Sequence, residues 1–156
     1  MSVIELAPLV KTLELKRSAD DAFRIYVHEA AKWWPLDTHA LSPENNTKAI
    51  DHVVEPRIGG RVYEVAEDGR TFEWGEVLAY EPGRRFAMTW QLGQPRAQSG
   101  DVEVVFEPTG AETCRVTLTH SAWERMGDKG QQMREGYNMG WQSVFGERFA
   151  NYVNTR

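Results

Sequence analysis

Met133, Tyr137, Trp141, Val144, Phe145, Phe149 and Tyr152 recur at intervals of three and four near the end of the chain. That spacing lays large apolar side chains along one side of a helix over about residues 131–154. A helix so aromatic on one face must lie against something concave and apolar. No other feature constrains the remaining chain as strongly.

The stretch from Thr47 to His120 changes to a period of two. Strands are predicted over residues 47–54, 61–65, 71–80, 85–91, 101–107 and 113–120. Gly59-Gly60, Asp68-Gly69, Pro82-Gly83 and Pro108-Thr109-Gly110 supply the fixed or positive φ that reversals need. Short strands joined by tight turns read as an antiparallel meander. A further strand is predicted over 9–15, where Leu9, Lys11, Leu13 and Leu15 share a face. Ser18 then caps a helix, with Asp21 at its third position, an acidic form of the capping box. Ala22, Phe23, Tyr26, Val27 and Ala30 follow at helical spacing, and Pro35 disfavours helix at Trp34. Residues 36–46 read as a loop. The expected architecture is α+β: a strongly curved antiparallel sheet wrapped around a long C-terminal α-helix. Residues 1–156 form one domain in this reading, and a partly hollow interior is its expected consequence.

The net charge is −5, with no basic stripe, which argues against nucleic-acid binding. The single cysteine, Cys114, permits no intrachain disulfide. The opening residues lack the basic start and long apolar run of a signal peptide, and no apolar run is long enough for a transmembrane helix. A cytoplasmic protein is the expectation. His28, His39, His52 and His120 fall at no metal-ligand spacing, so no metal site is expected. Phosphate-loop, dinucleotide and nucleophile-elbow motifs are missing, so no cofactor is expected.

Certain segments resemble a known family. Trp74-Gly75-Glu76-Val77-Leu78, Glu81-Pro82-Gly83-Arg84-Arg85-Phe86 and Thr89-Trp90 look like the central hairpin of the domain related to the C-terminal half of the activator of Hsp90 ATPase. Val116-Thr117-Leu118-Thr119-His120-Ser121, Trp123-Glu124 and Gly140-Trp141 extend the likeness. The order of elements is similar to the helix-grip fold of the START and Bet v 1-like (SRPBCC) superfamily. The resemblance implies a cavity between sheet and helix. It spans lipid carriers, hormone receptors, polyketide cyclases and co-chaperone domains, so it leaves function open.

Within that frame, Trp34, Tyr63, Trp74, Met88, Trp90, Phe106, His120, Met133, Tyr137 and Trp141 are the expected ligand-binding residues. Tryptophan joins a large apolar surface to one donor, which suits a pocket wall, although core packing is about as common a use. His120 ends a strand and is expected inward, at the mouth of the cavity, as a ligand partner or general base; a rim histidine is the plainer reading. Both faces of the 71–80 strand are mixed, so its inward face stays open, and with it the role of Glu76. Three functions follow. The chain binds a small hydrophobic or aromatic ligand; or it is a polyketide-cyclase-type enzyme in which His120, Tyr137 or Glu76 moves protons; or it contacts a chaperone as an Hsp90 co-chaperone does. Oligomeric state stays open.

Overall fold

A computed structural model describes residues 6–155; residues 1–5, part of the segment read above for a signal peptide, and residue 156 lie outside the described residues. Seven strands form one antiparallel sheet: β1 (Leu9–Leu15), β2 (Ala49–Val54), β3 (Arg61–Ala66), β4 (Thr71–Glu81), β5 (Arg85–Trp90), β6 (Gly100–Gly110) and β7 (Thr113–Ser121). Their spatial order is β1-β7-β6-β5-β4-β3-β2. Six of the strands are therefore the expected meander, and β1 adds to its far side by pairing Leu9 with His120 and Leu15 with Cys114.

Helix α1 (Ala19–His28) starts as its sequence requires, with Ser18 Oγ accepting from Asp21 N–H at 3.1 Å. It lies on the sheet's inner face: Phe23 meets Phe106, and Tyr26 meets Phe86, Phe145 and Phe149. A short helix α2 (Ala30–Trp33) ends before Pro35. The C-terminal segment begins as a 3₁₀ turn (Trp123–Lys129). It continues as α3 (Gly130–Ser143), passes through a π-helical stretch (Val144–Phe149) and finishes as α4 (Ala150–Thr155). The wider π turn resets the phase of the apolar stripe, so that Phe145, Phe149 and Val153 all stay buried. The fold is the α+β helix-grip arrangement.

The open question on β4 has a geometric answer. Trp74, Val77 and Ala79 are buried while Glu76 and Leu78 are exposed, so the alternation slips between Trp74 and Val77. The ladder with β3 shifts register there, Gly75 pairing with Val62 and Glu73 with Tyr63, which marks a bulge; the ladder with β5 shifts further along, between Val77 and Ala79. Gly75 is required there, since a Cβ on it would sit 1.9 Å from the Thr89 carbonyl oxygen. The bulge curls the sheet, and it puts Glu76 outside, away from any interior chemistry.

Candidate functional site

A cleft of about 460 Å³ opens between α3 and the loop that precedes β2. That volume is within the range of small-molecule sites. Trp34, Trp90 and Trp141 form its wall, at ring separations of 5.8 Å (Trp34–Trp90), 5.9 Å (Trp34–Trp141) and 5.1 Å (Trp90–Trp141). Helix α3 contributes Met133, Tyr137 and Trp141 at four-residue intervals, with Gly136 and Gly140 between them. A Cβ added at either glycine would meet no heavy atom within 4 Å. Glycine weakens a helix by roughly 0.5–1 kcal/mol relative to alanine. No neighbour demands the missing side chains here; their effect is to leave the cleft wide.

The opposite lip comes from Thr38, His39, Ala40, Leu41 and Glu44. This loop is latched to the sheet by Glu64, which points inward from β3 and has no exposed surface. Its carboxylate accepts from Leu41 N–H (2.7 Å), Ser42 N–H (2.8 Å), Ser42 Oγ–H (2.5 Å) and Trp74 Nε1–H (2.7 Å). Four donors on one buried carboxylate satisfy its desolvated oxygens. At the cleft's other edge Leu92 sits at φ +47°, a left-handed conformation costing about 1–2 kcal/mol in a non-glycine residue. The Gln91 and Leu92 amides both donate to the Trp74 carbonyl, at 2.8 and 3.0 Å, and hold that turn.

All six indole N–H groups are committed to protein acceptors. Trp33 donates to the Ile25 carbonyl, Trp34 to the His39 carbonyl, Trp74 to Glu64, Trp90 to Tyr137 Oη, Trp123 to the His120 carbonyl and Trp141 to His120 Nδ1. The cleft therefore presents indole rings without a free indole donor.

Of the residues expected at a ligand site, Trp34, Trp90, Met133, Tyr137 and Trp141 line the cleft together. The others lie elsewhere. Trp74 and Met88 border a separate void of about 20 Å³, room for one water at most. Phe106 is sealed in the core against Phe23, with ring centroids 5.3 Å apart. Tyr63 is on the outer face of β3, beside exposed Arg61, whose guanidinium lies 4.2 Å from the ring centre. Tyr63 is thus outside, and its neighbour Glu64 takes the inner face. The carboxylate's four donors make that order favourable.

His120 points inward as alternation requires, but it is not at the cavity mouth. It is wholly buried behind Trp141 and Tyr137, stacked 4.1 Å from Trp123. Burial lowers its pKa from 6.5 to about 3, so the ring is neutral at ordinary pH. Because Nδ1 accepts from Trp141, the ring proton is on Nε2, which faces Gly100 and has no hydrogen-bond partner among the described residues. His120 thus orients Trp141 rather than meeting a ligand. The sequence reading missed the whole lip at residues 38–44. Its one available signal was Glu64 on the same strand face as Val62 and Ala66, an inward acid that demands donors from another segment.

Among the described residues no three metal-ligating side chains converge, and no helix is long and apolar enough to cross a membrane. Comparison with proteins of curated function finds no match. An anthrahydroquino-gamma-pyrone synthase, Txn09, solved as a complex, is 29% identical with a TM-score of 0.64, covering 94% of this chain and 97% of that one. CalC from Micromonospora echinospora, described as a self-sacrificing resistance protein, is 22% identical with a TM-score of 0.67, covering 94% and 93% of the two chains. The Aha1 dimer from Colwellia psychrerythraea is 15% identical with a TM-score of 0.65, covering 96% and 97%; these last two likenesses concern the fold. The family described as Activator of Hsp90 ATPase homolog 1-like protein matches residues 16–154, nearly the whole described chain, and the protein belongs to that SRPBCC family.

Proposed function

We propose that this protein binds a small, neutral, aromatic or hydrophobic molecule in the cleft between α3 and the 38–44 lip. The observation that carries this reading is the wall of three indoles around an open volume of about 460 Å³, with every indole N–H already bonded within the protein. Such a wall offers apolar contact and ring edges, which favour flat apolar ligands. Among the described residues no lysine or arginine lines the cleft, and Glu44 does, so an anionic ligand would lose hydration without gaining a counter-charge.

A second reading has one observation in its favour. The 29% identical relative is named as an anthrahydroquino-gamma-pyrone synthase, which supports a reading in which the cleft of this chain catalyses a reaction on its ligand. Tyr137, His39 and Glu44 are then the proton-handling groups within reach of it, since His120 is sealed off and Glu76 is outside.

The test is a titration with a neutral fluorescent probe, N-phenyl-naphthylamine, read by probe emission and by quenching of tryptophan. Micromolar binding is expected for the native chain. Gly140→Leu fills the cleft from a position with no neighbouring heavy atom, so it should fold and lose the probe. Undiminished binding in that variant would place the probe elsewhere and overturn the reading.

A further inference from the structure

We propose that the Tyr137 hydroxyl is the donor with which this cleft recognises a carbonyl oxygen on a planar aromatic ligand, an inference that rests on the cleft being the binding site. Tyr137 Oη accepts from Trp90 Nε1–H at 3.2 Å, and this is its one hydrogen bond among the described residues. A phenol has one proton to give. With the Trp90 bond spent on a lone pair, that proton has no acceptor among the described residues.

The other helix- and sheet-side donors at the cleft are engaged, and on the exposed lip His39 keeps only its Nε2 without a hydrogen bond among the described residues. The indole N–H groups of Trp34, Trp90 and Trp141 end on protein acceptors. Thr38 Oγ1 and His39 Nδ1 bond each other at 2.7 Å. Glu44 is an acceptor when ionised. Tyr137 is left as the polar group on the helix side whose unmet need is an acceptor. Burial raises its pKa while the Trp90 bond lowers it, with burial the larger effect, so the phenol keeps its proton at neutral pH. Accepting from Trp90 also polarises the O–H bond, which strengthens it as a donor.

The ring is held in place for this task. Tyr137 is near-parallel to Trp141 at 6.5 Å, meets His120 edge-on at 4.9 Å and lies 5.6 Å from Trp123. Bare Gly136 and Gly140 flank it on α3 and clear the surface on which a flat ring system would lie. The combination selects a neutral aromatic ketone over the hydrocarbon of the same shape. Among the described residues no lysine or arginine is present in the lining to favour a carboxylate or phosphate.

Fluorene and fluorenone differ by that carbonyl and form a suitable pair, titrated by tryptophan quenching. The native chain should bind fluorenone about tenfold more tightly, the value of one satisfied hydrogen bond. Tyr137→Phe should keep fluorene affinity and lose the preference. Trp90→Phe, which leaves the phenol but removes its polarising donor, should reduce the preference to a few-fold. Melting temperatures of both variants establish that they fold, and the same exchange on the outer face of the sheet, Tyr63→Phe, should leave the preference intact. If the native chain binds both compounds equally, or if Tyr137→Phe retains the preference, the Tyr137 assignment is overturned while the cleft stands. If neither compound binds, the cleft reading itself fails, and this inference with it.

Discussion

His120 shows how much one residue's environment decides. In an unfolded chain its imidazole titrates near 6.5; in the fold, burial behind Trp141, Tyr137 and Trp123 lowers that value to about 3. Between those two values the unfolded chain holds the extra proton and the folded chain does not. Stability is therefore full above about pH 6.5 and falls as the pH drops toward 3, with a slope of up to about 1.4 kcal/mol per pH unit from this group. His52, lowered to about 4 chiefly by burial, adds an acid limb of its own that ends nearer pH 4. Replacing His120 with asparagine keeps an acceptor for Trp141 Nε1–H and removes the titration. Urea melts from pH 7 to pH 4 should show a shallower loss of stability for that variant. An unchanged slope would mean that His120 is solvated or charged in the fold.

Among the elements, the lip formed by residues 38–44 and the bulged strand β4 are joined through Glu64. The same carboxylate that accepts the Leu41 and Ser42 amides also accepts Trp74 Nε1–H from β4. Exchanging it for glutamine substitutes an NH₂ group for one acceptor oxygen and leaves at least one buried donor unmet. We expect a loss of about 2–3 kcal/mol. Amide exchange at Leu41 and Ser42 should rise further than the global change explains, because the lip loses its latch. Uniform exchange across the chain would show that the lip is held by other means. Strand β3, where the latch originates, turns the expected binding residue Tyr63 outward. Arg61 over Tyr63 and Glu64 under the lip invert the usual apolar-in alternation, and the donors that make this favourable come from a segment more than twenty residues away.

For the whole molecule, the cleft is the place where the sheet, the lip and α3 fail to close on one another. A ligand that binds only the folded chain stabilises all of it by mass action. At a hundred times its dissociation constant, fluorenone should add about 2.7 kcal/mol. For a chain of this length that is a rise of about 5–10 °C in melting temperature. Gly140→Leu should show no such rise, and an equal rise in that variant would assign the stabilisation to another surface.

The sequence by itself determined the element order, the six-strand meander, the Ser18 cap and the apolar stripe of the C-terminal helix. Each of these is written in local periodicity or turn chemistry, which the chain carries wherever it goes. It also marked five cleft residues, Trp34, Trp90, Met133, Tyr137 and Trp141, because large side chains on facing elements must meet across a concave sheet. Tertiary structure alone decided the rest. The bulge beside Gly75 chose the inner face of β4, through a register shift against β3 where Thr89 of β5 also comes too close for a side chain. Helix α1 filled the space around Phe106, and the stacked rings closed over His120, so neither reaches the cleft. The lip at residues 38–44 entered the site because a buried acid on β3 needed its amides. A hydrogen bond between segments far apart in the chain leaves no period in the sequence, and it was such bonds that shaped the cleft.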